Sequence, residues 1–167
     1  MTFTLRIAVE DDLPALRDLM ALAIDTLQRG FLSPEQIVAS RAVMGLDTQL
    51  VADRTYFVVE EDGALAGSGG WSRRATLYGG DHSAGLREPR LLDPAHEAAR
   101  VRAMYTHPGF ARRGVGRMIL DACERAAAAE GFAAVELMGT MSGQPLYTAC
   151  GYRPVEAITD DRGGAPV

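Results

Sequence analysis

The part of this sequence with the clearest chemistry is a short turn rich in arginine and glycine. Residues 111–117 follow an extended run at residues 100–106 and lead into an amphipathic helix. The turn holds three arginines and two glycines: Arg112, Arg113, Gly114, Gly116 and Arg117. The first N–H groups of a helix lack intrahelical partners, and its N-terminus carries partial positive charge. Glycine lets an anion approach the backbone, and arginine adds forked donors, so residues 111–117, called the phosphate turn below, predict a pyrophosphate site.

Two common phosphate motifs are missing from this turn. The dinucleotide fingerprint G-x-G-x-x-G fails because Ile119 stands where its third glycine belongs. The Walker pattern fails because the sequence has no Gly-Lys-Ser/Thr. What remains is R-x-G-x-G, which also fits an ordinary strand-to-helix turn.

Two longer segments resemble motifs of one enzyme family. Residues 100–120 resemble motif A of the GNAT superfamily, the acetyl-CoA-dependent acyltransferases. Residues 145–152, Pro-Leu-Tyr-Thr-Ala-Cys-Gly-Tyr, resemble its closing motif, and both occur in the family's order and spacing. The resemblance covers residues 4–155 and departs at two positions. Ala111 stands where the family usually has Gln or Arg, and Ser142 where many members have Asn.

The resemblance implies one α/β domain over residues 1–167, with a loose tail at residues 160–167. Its sheet would be mixed, mostly antiparallel and twisted, with six to seven strands and helices on both faces. Hydrophobic patterns predict strands at residues 4–8, 55–60, 64–71, 100–106, 133–138 and 152–158. Helices are predicted after Asp11 or Asp12, after Ser33, over residues 37–50, from Gly116 to Gly131 and from Pro145. Residues 73–99 form a long irregular excursion.

Composition excludes several classes of protein. The chain has 167 residues, 47 % of them hydrophobic, and a formal net charge of -5. An acidic chain is a poor general nucleic-acid binder. It has neither a bilayer-spanning apolar run nor a leader, so we predict no membrane association. Cys123 and Cys150 are predicted to be buried and reduced, which favours a cytoplasmic location. The spacing of the histidines and cysteines matches no metal-ligand pattern, so we predict no metal site.

The resemblance also implies roles for individual residues. Backbone groups of Met104, Tyr105 and Thr106 would pair with the pantetheine arm of acetyl-CoA, and an N–H of Met104 or Tyr105 would polarise the thioester. Tyr147 is the candidate general acid for the leaving sulfur. The predicted coenzyme-binding residues are Met104, Tyr105, Thr106, Arg112, Arg113, Gly114, Val115, Gly116, Arg117, Ser142 and Tyr147.

The general base is less defined. Many relatives place a carboxylate on or near the fourth strand, where this chain has Arg100 and Arg102. Glu97 lies just before that strand and is the first candidate. The alternatives are His96, His82, Asp81 and Glu61, each of which also fits a solvated loop residue. His107 is interpreted as structural or close to a coenzyme phosphate.

The acceptor substrate is not identified by the sequence. Trp71, Tyr78 and Phe31 are candidates to line its pocket, although a lone tryptophan at a strand end is more often core. Four arginines of the excursion suit either an acidic acceptor or a solvated loop: Arg73, Arg74, Arg87 and Arg90.

Three functions remain open. The leading hypothesis is an N-acetyltransferase that moves acetyl from acetyl-CoA to a primary amine of a small molecule or peptide through a ternary complex. The runner-up is a catalytically weak acyl-CoA-binding or regulatory module on the same fold. The third is a nucleotide-binding protein, which the missing Walker lysine disfavours. The apolar C-terminal strand suits a homodimer.

Overall fold

The computed structural model describes residues 2–40, 44–81, 88–140 and 142–158. His82, Arg87 and the tail at residues 160–167 lie outside this part of the chain. The strands are β1 (Thr4–Ile7), β2 (Tyr56–Glu61), β3 (Ala64–Ser72), β4 (Ala99–Thr106) and β5 (Val135–Leu137). The helices are α1 (Leu13–Leu27), α2 (Pro34–Ser40), α3 (Thr48–Ala52), α4 (Val115–Ala129) and α5 (Gln144–Ala149).

The five strands form one sheet in the order β1-β2-β3-β4-β5. The first four are antiparallel neighbours, and β5 pairs parallel to β4. This mixed, mostly antiparallel sheet confirms the predicted fold class. The predicted count of six to seven strands is wrong for the described residues, because residues 152–158 form no strand. Val155 of that segment is almost fully exposed, so it lacks the sheet neighbour that the apolar pattern suggested.

Apolar side chains of the sheet point to two separate cores, one on each face. In β2, Tyr56 and Val58 pack with α1, whereas Phe57 and Val59 pack with α4. This alternation follows from the two-residue period of a strand. Helices therefore cover both faces, as predicted.

Each of the two long helices buries one apolar stripe. α1 buries Leu16, Leu19, Met20, Ala23 and Ile24. α4 buries Val115, Ile119, Leu120, Cys123 and Ala127. The predicted helix over residues 37–50 is wrong as one element, because α2 ends at Ser40 and α3 begins at Thr48 behind the cap Asp47.

Glycines in β3 let α4 pack directly on the sheet. A Cβ on Gly67 would lie 2.5 Å from Cγ1 of Val115 and 3.0 Å from the carbonyl oxygen of Tyr105. A Cβ on Gly69 would lie 2.7 Å from Cγ2 of Ile119. These separations are too short for real carbon contacts, so the start of α4 lies where only glycine allows it. β3 thereby fixes the height of the phosphate turn above the sheet.

The change Gly67→Ala is expected to lower the free energy of unfolding by about 1–3 kcal/mol, because the added methyl overpacks the contact with Val115. Chemical denaturation measures the change. The control is Gly30→Ala, where a Cβ meets nothing within 4 Å and where the change should stay within about 0.5 kcal/mol. Equal effects of both variants would contradict the close-packing argument.

Candidate active site

A cleft opens where β4 and β5 separate. Their parallel pairing joins Ala99 with Val135, Arg100 with Glu136 and Val101 with Leu137, and β5 then ends. β4 continues to Thr106 along β3 alone, so the edge that faced β5 is open over the described residues. The cleft is lined by Met44, Leu77, Tyr78, Gly79, Val101, Arg102, Ala103, Met104, Tyr105, Leu137, Met138, Thr140 and Tyr147.

A bulge in β4 lies at the cleft. Ser68 pairs with Tyr105 and Gly70 with Arg102, so Ala103 and Met104 together oppose Gly69. Ala103 has a φ of 53°, a left-handed conformation that is strained for a residue with a side chain. The Tyr56 hydroxyl, which lies 2.8 Å from Oγ of Ser68, donates to the Ala103 carbonyl oxygen at 2.7 Å and so holds the bulge. Bulges redirect backbone groups and often occur at active sites.

The phosphate turn leaves a row of backbone donors open. Arg112 and Gly114 both have positive φ, 63° and 86°, and α4 begins at Val115. Among the described residues, no acceptor takes the N–H groups of residues 112–117, and the first helical bond runs from Met118 to Gly114. Gly116 allows α5 to approach, since a Cβ there would lie 2.6 Å from Cδ2 of Leu146. Such a row of N–H groups at a helix start suits a phosphate.

The arginines of the turn have different environments. Arg112 and Arg117 are exposed and make no hydrogen bond or ion pair with any other described residue. Arg113 donates to both carboxylate oxygens of Glu61, at 2.8 and 3.3 Å. The structure therefore leaves Arg112 and Arg117 available to an anion, whereas Arg113 is engaged by the protein.

Tyr147 lies on α5 at the cleft. Its ring packs closely against two glycines. A Cβ on Gly143 would lie 2.7 Å from Cε2 of Tyr147, and a Cβ on Gly139 would lie 3.0 Å from the same atom. Its hydroxyl makes no hydrogen bond with any other described residue. Burial raises the pKa of Tyr147 to about 12 by disfavouring the phenolate. The group is therefore a protonated phenol at neutral pH. Ser142 lies just before α5, with its Oγ 3.1 Å from Oγ1 of Thr140.

Comparisons with known proteins agree with this geometry. The sequence matches the Acetyltransferase (GNAT) family over residues 18–152, which is most of the chain. The chain belongs to the GNAT acetyltransferase family. The comparison with curated proteins gave no match.

Solved GNAT structures share the fold at low sequence identity. A GCN5-related N-acetyltransferase from Rhodopseudomonas palustris is 18 % identical with a TM-score of 0.71, covering 100 % of this chain and 91 % of its own. The PaiA N-acetyltransferase from Thermoplasma acidophilum, in complex with coenzyme A, is 15 % identical with a TM-score of 0.65, covering 99 % and 96 %. AAC(6')-Iy, bound to a bisubstrate analogue, CoA-S-monomethyl-acetylneamine, is 15 % identical with a TM-score of 0.61, covering 95 % of both chains.

The structure does not bring the predicted base of this GNAT protein to the cleft. Glu97 precedes β4 and lies at the opposite end of that strand from the bulge. It accepts from Arg90 at 3.0 and 3.2 Å and from the Asp93 N–H at 3.0 Å. These bonds hold the pKa of Glu97 below its usual range, and the bond from Arg90 has the largest effect. Glu97 is thus an ionised partner of Arg90.

The described alternatives to Glu97 are also engaged. His96 pairs with Asp93 at 2.7 Å on the surface. Asp81 accepts from the N–H and hydroxyl of Thr48, and Glu61 accepts from Arg113. Among the described residues that line the cleft, the ionisable side chains are three tyrosines and Arg102. No described group of three or more His, Cys, Asp or Glu could hold a metal ion.

The buried pair of Arg102 and Asp47 is the feature that sequence reasoning missed. Arg102 donates to the Asp47 carboxylate, and its second terminal nitrogen donates to the Gly79 carbonyl oxygen at 2.6 Å. The two side chains are 2 % and 0 % exposed. Asp47 also caps α3 by accepting from the Gln49 N–H at 3.1 Å. The Asp-Thr step before α3 is a capping signal, but nothing local connects it to β4.

The pair joins the two segments that face β4 across the cleft. One contains Met44 and Asp47, and the other contains Leu77, Tyr78 and Gly79. Of the predicted acceptor residues, Tyr78 alone lines the cleft, since Trp71 is buried against Phe132 and Phe31 is exposed elsewhere.

Three excursion arginines are occupied by carboxylates. Arg73 pairs with Glu130, Arg74 with Asp53, and Arg90 with Glu97. None of them lines the cleft, and Arg87 lies outside the described residues. In the described part of the chain, no helix is both long and apolar enough to cross a bilayer.

Proposed function

We propose that this GNAT protein transfers the acetyl group of acetyl-CoA directly to a primary amine of a small molecule or peptide, in a ternary complex. The observation that carries the proposal is the convergence of three features at one end of the sheet. These are the edge of β4 and the N–H groups of residues 112–117, both unpaired among the described residues, and the protonated phenol of Tyr147. A cytoplasmic location and a homodimer stay predictions.

The residues present fit acetyl-CoA as a substrate. The N–H groups of residues 112–117, with Arg112 and Arg117, would hold its pyrophosphate. Met104 and Tyr105 line the cleft, and their main chain, with that of Thr106, would hold the pantetheine arm in the manner of an added strand. Ser142 lies near the start of α5 and stays a candidate contact for that arm.

The chemistry needs a polarised carbonyl and a proton for sulfur. The amine nitrogen attacks the thioester carbonyl carbon, the carbon–sulfur bond breaks, the amine loses a proton and the sulfur gains one. An N–H of Met104 or Tyr105 would stabilise the negative charge that develops on the carbonyl oxygen. Tyr147 would donate the proton to sulfur. Its raised pKa keeps that proton in place throughout the neutral range.

One observation favours the binding-module alternative. No described carboxylate or histidine lines the cleft, so no described side chain there is a ready base for the amine. An enzyme with such a cleft would bind its acceptor as the free amine, or the protonated amine would lose its proton to water. A module without catalysis would need no base.

Binding of acetyl-CoA is the first test. Isothermal titration of the wild type should give micromolar affinity, and Arg112→Glu should weaken it by about tenfold or more, because a charge-assisted bond is replaced by repulsion. The matched control is Arg125→Glu, farther along α4, where the arginine side chain is 80 % exposed and pairs only with Asp121 among the described residues. That variant should bind within about twofold of the wild type.

Release of the CoA thiol with a panel of amines then separates the alternatives. The panel holds a polyamine, an arylalkylamine, an amino acid and a lysine-containing peptide. Thiol release with one of them supports the transferase. Binding without thiol release supports the module, and absence of binding by the wild type overturns both.

A further inference from the structure

The side chain of Arg113 is held on three sides by the protein. Its guanidinium donates to the two carboxylate oxygens of Glu61 at 2.8 and 3.3 Å. It also lies 4.9 Å from the ring centre of Phe3 and 5.5 Å from that of Phe110, at cation–π distance. The forked donor matches the planar carboxylate, and the flat faces suit the rings. Glu61 and the two rings therefore fix the position of the guanidinium, although the side chain is still 42 % exposed.

Glu61 makes this contact a fixed one. The residue ends β2 and is only 5 % exposed, although it carries a carboxylate. A buried carboxylate without a cation is unfavourable, so Glu61 and Arg113 hold each other in place. The bond connects the sheet to a residue 52 positions later in the chain.

Arg113 lies between two residues of unusual backbone conformation. Arg112 and Gly114 have φ of 63° and 86°. Glycine adopts that region readily, whereas for arginine it is strained and must be stabilised by surrounding contacts. The anchored side chain of Arg113 is next to the strained residue and one residue before the cap of α4. It is therefore well placed to impose the turn that exposes the N–H groups of residues 112–117.

We propose that Arg113 is a positioning residue that acts through Glu61, Phe3 and Phe110 to hold the phosphate turn in its anion-binding shape, and not a ligand of the phosphate. The two neighbouring arginines then have different roles. The side chain of Arg112 contacts the anion, and Arg113 holds the backbone whose N–H groups bind it. This inference rests on the proposed function for its ligand, acetyl-CoA.

Neutralising Glu61 gives the two roles opposite outcomes. If Arg113 bound the phosphate, Glu61→Gln would release it from a competing carboxylate. The affinity for acetyl-CoA would then stay equal to that of the wild type or rise. A positioning Arg113 would lose its anchor, and affinity measured by isothermal titration should fall by about tenfold. The control is Glu60→Gln on the adjacent residue, whose carboxylate pairs with Arg6 on the surface. Its affinity should stay within about twofold of the wild type.

A conservative variant and a ligand-free measurement complete the test. Arg113→Lys keeps the charge but lacks the fork, so it should lose affinity as Glu61→Gln does. The double variant should lose no more than the more affected single variant, because both remove one contact. Amide hydrogen exchange without ligand should speed up at His107, Phe110 and Ala111, whose N–H groups are hydrogen-bonded where the turn begins, for Glu61→Gln and not for Glu60→Gln.

The outcomes distinguish this inference from the proposed function. If the wild type fails to bind acetyl-CoA, the function fails, and the exchange rates at His107, Phe110 and Ala111 still decide whether Arg113 positions the turn. Unchanged exchange in Glu61→Gln, or an affinity equal to or above that of the wild type, overturns the positioning role.

Discussion

The variant Tyr147→Phe is expected to lower kcat by about 10²-fold or more, since general acid catalysis contributes about 10²- to 10⁴-fold. The affinity for acetyl-CoA should stay within about twofold of the wild type. The ring that packs on Gly139 and Gly143 is retained, and the lost hydroxyl has no hydrogen bond with a described residue, so folding should be unaffected. Steady-state kinetics with the best amine of the panel, beside acetyl-CoA titration, measure both quantities.

Tyr152 provides the matched control for this prediction. Its ring centre lies 6.1 Å from that of Tyr147, but its hydroxyl donates to Glu124 at 3.1 Å, and it does not line the cleft. Tyr152→Phe should keep kcat within about threefold and lose about 1 kcal/mol of unfolding free energy with its hydrogen bond. Equal kcat for wild type and Tyr147→Phe would show that another group or water protonates the sulfur.

The pH dependence of kcat follows from the same burial. A phenol whose pKa is raised to about 12 stays protonated below that pH, so Tyr147 should cause no alkaline loss of kcat in the range up to about pH 10. The folded pKa lies above the ordinary value of about 10, so the stabilising contribution of this group is complete below pH 10 and is lost as pH rises towards 12. An alkaline limb near pH 8 that Tyr147→Phe removes would contradict the raised pKa.

Local signals in the sequence located the ends of elements and the phosphate turn. Asp62 and Gly63, between β2 and β3, have φ of 52° and 79°, as an Asp-Gly hairpin turn requires, and Gly131 ends α4 in the left-handed region. Each of these features depends on neighbouring residues alone. The cleft follows from the short β5, whose pairing with β4 ends at Leu137.

Contacts between distant residues could not be predicted in the same way. Arg112 and Arg113 are adjacent and identical in type, and only the folded chain shows that one of them meets Glu61. The apolar pattern of residues 152–158 fits a strand, but a strand also needs a sheet edge to pair with, and the described residues provide none. Glu97 is close in sequence to β4 but lies at the end away from the bulge. Its role as base stays a prediction that the geometry does not support.

The buried pair of Arg102 and Asp47 is the strongest test of how long-range contacts stabilise this fold. Arg102→Met should lower the free energy of unfolding by about 3–5 kcal/mol, because it removes the cation from a fully buried carboxylate. Urea denaturation gives the value. The control is Arg100→Met on the same strand, whose partner Glu136 is 47 % exposed and can be hydrated. That change should amount to about 1 kcal/mol.

Replacing both partners separates the charge from the packing. Arg102→Met with Asp47→Leu removes the carboxylate together with the cation, so the double variant should recover most of the stability that Arg102→Met loses. It does not restore the bond from Arg102 to the Gly79 carbonyl oxygen, which connects β4 to the segment that carries Tyr78 into the cleft. The double variant should therefore fold stably and bind acetyl-CoA as the wild type does, while its KM for the acceptor amine rises. A double variant no more stable than Arg102→Met would show that the unbalanced charge of Asp47 is not the main penalty, and that lost packing around Arg102 or the lost cap of α3 is.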